Sequence, residues 1–68
     1  MKPKTAEIRK TIETQPVPSR FYYVGLARNG EVTAVSSEMY DRRSDAERGA
    51  KDAFGSDVKI IYAEGVKS

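Results

Sequence analysis

The side chains that could do chemistry in this chain fall into three groups. Asp41, Asp45 and Asp52 are carboxylates dense enough to suggest a cation or acid–base site. Arg42, Arg43 and Arg48 cluster beside them, while Lys2, Lys4, Arg9 and Lys10 crowd the start of the chain. Tyr22, Tyr23, Tyr40 and Tyr62, with Phe21, offer rings of the kind on which single-strand binders stack bases. Histidine and cysteine are both absent, which removes the usual general base, the usual triads, zinc ligation and any disulfide. The aspartates match no cation-loop spacing, and around a helix start their ordinary role is capping. There is no glycine-rich phosphate loop. The expectation is a chain with no catalytic residues, no cofactor and no metal: not an enzyme.

The basic groups divide along the chain. Residues 1–20 carry five basic and two acidic side chains, a net of +3; residues 21–68 carry seven and eight, a net of −1. A duplex-binding module is usually basic on its folded face, so a solvated basic tail is the favoured reading of residues 1–20. The alternative is nucleic-acid binding, with Lys2, Lys4, Arg9, Lys10, Arg42 and Arg43 as the contacts. For Arg42, Arg43 and Arg48 among their acidic neighbours, a salt-bridged solvated face is the default. For the tyrosines it is strand positions with buried rings and wetted hydroxyls.

The elements that must position these groups are few. Sixty-eight residues make one small domain, and a chain of this size buries only about 60% of its unfolded surface. With no staple available, oligomerisation is the remaining common reinforcement. The longest apolar runs fall far short of the roughly 20 residues needed to span a bilayer. No apolar stretch of signal-peptide type follows the basic start, so the expected setting is cytoplasmic, without membrane contact.

Arg28-Asn29-Gly30-Glu31 lies between two runs rich in aromatic and β-branched residues, 21–27 and 32–36. It predicts a two-residue type I′ hairpin pairing Ala27 with Val32 and Leu26 with Thr33. Ser44-Asp45-Ala46-Glu47 reads as a capping box opening a helix over 45–54. Ala46, Ala50, Ala53 and Phe54 form its buried stripe, and Gly55 an αL cap. Residues 58–63 read as a strand with Val58, Ile60 and Tyr62 on one face. Residues 5–13 alternate polar and apolar, which favours a strand or extended arm, although Ile8 and Ile12 also sit at helical spacing. Gln15-Pro16-Val17-Pro18-Ser19 is a stiff linker. The expected fold class is α+β: a small antiparallel sheet with one helix on one face. The element order is an N-terminal arm or strand and then β-β-α-β, completed by dimerisation. The expected division is a basic arm and proline linker at 1–19, a ββαβ domain at 20–64 and a frayed tail at 65–68.

Asn29-Gly30-Glu31, Ala34, Ser37-Glu38, Tyr40, Ala46-Glu47, Gly49 and Asp57, in this order over residues 20–64, resemble the YegP-type domain of unknown function. The double-stranded-RNA-binding domain also runs hairpin then helix, but its helix opens on a lysine cluster where this chain has Asp45 and Glu47. Its long final helix is replaced here by a strand pattern. The YegP-type resemblance implies a single unit that pairs, and it implies no catalysis. One departure is Met39-Tyr40-Asp41-Arg42-Arg43, which replaces the family's turn before the helix.

The other departure is on the hairpin. By the resemblance, Phe21, Tyr23, Gly25 and Ala27, with Val32, Ala34 and Ser36, meet the helix. The opposite face, charged in the family, is Tyr22, Val24, Leu26, Thr33 and Val35 here. An exposed apolar face of this kind marks an interaction site, to be covered by a second subunit, by the chain's own arm or by a different protein. The function expected is a non-catalytic protein-interaction module: a homodimeric small regulator or inhibitor docking on a larger protein of unknown identity. Phage-encoded inhibitors are an analogy in size.

Overall fold

Thr5–Lys10 has the simplest pattern in the chain. Ala6 and Ile8 point one way and are fully buried, while Thr5, Glu7 and Arg9 point the other. That alternation is the pattern of a strand with one dry face. The structure, a computed structural model, describes residues 3–11 and 20–66. Lys2, the linker at 15–19, Ile12 and residues 67–68 lie outside the described residues. The elements are β1 (Thr5–Lys10), β2 (Phe21–Leu26), β3 (Val32–Val35), α1 (Arg43–Phe54) and β4 (Lys59–Tyr62). They form one four-stranded sheet in the order β3-β2-β1-β4 with α1 packed on one face, an α+β fold.

β1 is an inner strand of this sheet. It runs antiparallel to β2, from Thr5↔Leu26 to Lys10↔Phe21, and parallel to β4, from Thr5↔Lys59 to Ile8↔Tyr62. The strand reading of the N-terminal segment therefore holds over Thr5–Lys10. A stretch expected to precede the domain instead lies in the middle of its sheet. The sheet is mixed, not wholly antiparallel, because α1 carries the chain from β3 across to the far side of β1. Arriving there, β4 runs in the direction of β1, as a crossover requires.

The hairpin corrects the expected turn. Ala27 C=O accepts from Gly30 N–H at 2.9 Å, and Ala27 N–H donates to Glu31 C=O at 2.9 Å. Only Gly30 has a positive φ, 87°, so Asn29 does not adopt the conformation a type I′ turn demands. The loop therefore has three residues, with glycine at its left-handed position. Leu26 consequently faces Val32, not Thr33. A bulge at Gly25/Leu26 then restores the register, so that Gly25 faces Ala34 and Val24 faces Val35, as expected.

The helix also begins differently. It spans Arg43–Phe54, and its N-cap Arg42 makes no side-chain capping bond. Ser44 thus stands inside the first turn, and the capping box does not form. Ala46 and Ala50 are fully buried, but Ala53 is exposed and leaves the predicted stripe. Gly55 ends the helix at φ 108°, ψ 149°, which is not the αL cap expected but a region open essentially to glycine alone.

The core is built from Ala6, Ile8, Tyr23, Ala46, Ala50 and Val58, with Phe21, Tyr40, Phe54, Ile60, Tyr62 and Val66 packed around it. Small helix residues leave room for the aromatic rings, and at Gly49 the rings of Tyr40 and Tyr23 come close to the helix. A Cβ on Gly49 would come within 2.5 Å of the Tyr40 hydroxyl oxygen. Val66 joins this packing and donates its N–H to Ala63 C=O at 3.0 Å, so the tail expected to fray from residue 65 is held at least that far.

Candidate interaction surface

The face of the sheet away from α1 is assembled by strand alternation. β2 contributes Tyr22, Val24 and Leu26, and across from the last two stand Val35 and Val32. β1 lays Arg9, Glu7 and Thr5 alongside Tyr22, Val24 and Leu26, and β4 places Ile61 beyond Glu7. The result is an apolar field on β2 and β3 bordered by a polar stripe on β1. Within the field burial is uneven. Val24 is 1% exposed, Tyr22 and Leu26 are half-buried, and Val32 and Val35 are 44% and 63% exposed.

The polar stripe is internally paired. Arg9 Nε donates to Glu7 Oε1. That bond, with smaller help from Tyr22 and against the opposing effect of burial, raises the guanidinium pKa further above its ordinary value. Arg9 is thus committed to its own strand and its neighbour.

All five residues expected on this surface are found on or beside it. Thr33 occupies the bulge, and its hydroxyl donates to Gly25 C=O at 3.2 Å. Val32 was assigned to the helix side and belongs here instead, because the three-residue loop shifts the pairing by one. Ile61 was also missed. Nothing in the hairpin sequence distinguishes the two loop lengths, since Asn-Gly suits both. Met39, 50% exposed, adds a further apolar side chain near the end of β3. The N-terminal strand does not lie over this face; it widens it.

The basic residues are scattered. Lys4 precedes β1 and Lys10 ends it, six residues apart and so about 20 Å along a strand. Arg42 is exposed at the helix N-cap. Arg43 Nε lies 3.1 Å from Glu47 Oε2, and its guanidinium stands 5.5 Å from the centre of the Tyr62 ring. Lys10 and Arg43 line one cleft with Phe21, Gly65 and Val66, and Lys4 and Arg28 line another with Leu26 and Thr33. Arg20 pairs with Asp41 at 3.1 Å.

The rings that invited a stacking role are largely occupied. Tyr23 stacks on Tyr40 at 6.3 Å between centroids, and Phe54 meets Tyr23 edge-on at 5.4 Å. Burial raises the phenol pKa of Tyr23, Tyr40 and Tyr62. For Tyr62 a second cause is the hydrogen bond it donates to Glu47 Oε1 at 3.0 Å. Among the described residues no group of three acidic side chains is placed to hold a metal ion, and no helix is long and apolar enough to cross a membrane.

No protein-family model, curated protein or solved structure matches this chain.

Proposed function

We propose that this chain is a non-catalytic protein-interaction module: a small homodimeric regulator or inhibitor that works in the cytoplasm by docking on a larger protein. The observation that carries the reading is the row of apolar side chains turned away from the helix, from half-buried Tyr22 and Leu26 to the exposed Val32 and Val35. A domain this small gains little by leaving such groups in water, since full burial of a valine or leucine is worth roughly 1.5–3 kcal/mol. The resemblance to the YegP-type domain, with its implied pairing of units, supports the same reading. The scatter of Lys4, Arg9, Lys10, Arg42 and Arg43 over both faces weighs against a single phosphate-binding track.

Leu26→Asp tests it. The variant is expected to lose self-association by light scattering, or capture of its partner in a pull-down, while circular dichroism shows the helix and sheet intact. Wild-type behaviour from Leu26→Asp in both assays overturns the reading. So does tight binding to duplex DNA or RNA that weakens steeply between two salt concentrations.

A further inference from the structure

β3 is an edge strand, and an open edge presents amide and carbonyl groups that proteins ordinarily guard with charge, proline or a bulge. The opposite edge, β4, begins on Lys59 and is followed by Glu64. β3 has the bulge but neither of the other guards: residues 32–37 carry no charge and no proline. Its bulge at Thr33 leaves the second half of the strand regular. There, Ser36 N–H donates to Tyr23 C=O at 2.9 Å, so the next pair, Val24 and Val35, is of the non-hydrogen-bonded kind. The amide and carbonyl of Val35 therefore point out of the sheet edge. Its side chain is also the most exposed large apolar one among the described residues.

We propose that β3 pairs antiparallel with β3 of a second copy of this chain, about a two-fold axis at Val35. This rests on the homodimer reading above and supplies its contact. The strand carries no charge, so pairing it with its own copy brings no like charges together. In this register Val35 meets its own copy and Ala34 meets Ser36, and Ala34–Ser36 is the stretch that stays in regular register with β2. The nearest glutamates, Glu31 and Glu38, lie outside β3 at its two ends and are not brought opposite each other. An axis perpendicular to the sheet keeps both apolar faces on one side, so the valines of the two copies merge into one continuous surface. A strand pair alone buries less than the roughly 1,200 Å² of a standard stable interface. The association is therefore concentration-dependent.

The test uses the full chain. Sedimentation over a concentration series is expected to show wild type passing from monomer to dimer, with exchange of the Val35 amide slowed at least tenfold in the dimer. Val35→Lys and Val35→Glu are each expected to stay monomeric, and an equal mixture of the two to dimerise. Should either charge variant unfold by circular dichroism, the wild-type amide exchange decides. A dimer that persists in Val35→Lys, or a Val35 amide that exchanges equally fast at all concentrations, overturns the edge contact while leaving a dimer through the face. A wild type monomeric at every concentration also overturns it, and the docking half of the functional reading then stands or falls on Leu26→Asp.

Discussion

Val24 and Val35 are the same residue, face each other across two strands and lie on the same side of the sheet. One is 1% exposed and the other 63%. The contrast between an inner and an outer strand is greater here than that between the two faces. On β2 a side chain has neighbours on both flanks whichever way it points; on β3 it has them on one. Apolar character alone therefore does not decide which side chains of this face stay exposed. Distance from the sheet centre does, and the unsatisfied valines gather at the β3 edge.

The largest effect should come from removing the centre altogether. Deleting residues 1–11 takes out β1, to which both β2 and β4 are hydrogen-bonded. The expected outcome is loss of cooperative unfolding by circular dichroism. A truncated protein with the wild-type urea midpoint would make residues 1–11 a dispensable arm. Next comes the valine pair itself. Val24→Ala removes two buried methylene equivalents at about 0.8 kcal/mol each plus a cavity cost, about 2 kcal/mol in all. Val35→Ala should stay within ~0.5 kcal/mol in the monomer, as exposed substitutions do. Equal urea midpoints for the two variants would break the comparison.

The tyrosines give a pH-dependent test. Tyr23, Tyr40 and Tyr62 hold their protons more tightly in the folded chain than in the unfolded one, whose phenols titrate near 10. Their contribution is full below that pH and is lost as pH rises through the folded values. Melting temperature should therefore fall above about pH 10, and less steeply in Tyr62→Phe. An identical alkaline slope in that variant would remove Tyr62 from the account. The smallest effect belongs to Ser44→Ala. With Ser44 inside the first turn and no side-chain cap bond made, the change should cost less than ~0.5 kcal/mol, not the ~1 kcal/mol of a lost N-cap.

How much of this was legible in the sequence depends on whether the governing contact is local. The strand runs, the Ala46/Ala50 stripe and the order β-β-α-β all follow from patterns within a few residues, whereas which hairpin face meets the helix was assigned by the resemblance and not by periodicity. Ser44 as a cap also looked local, but the helix starts one turn-fraction earlier, where Arg43 pairs with Glu47 and covers Tyr62. Glu47 is thereby drawn to Tyr62 on β4 and away from the capping position. β1's central place could not be read from its own alternation, which an edge strand shares. It depends on β4 arriving from the other end of the chain. Val32's side of the sheet turned on a single residue of loop length that Asn29-Gly30 leaves undecided.

β1 also has a history that a finished sheet conceals. Of the four strands it is made first, and its parallel neighbour β4 is made last. β2 and β3 can meet as a local hairpin within microseconds. β1 can join them once residues 20–26 are out, but one of its long sides then stays open until Lys59–Tyr62 has been made. Pairings that wait on distant sequence are slow and leave strand edges bare meanwhile. Nascent or truncated forms of this protein are therefore expected to be its aggregation-prone species, with β1 as the exposed seam.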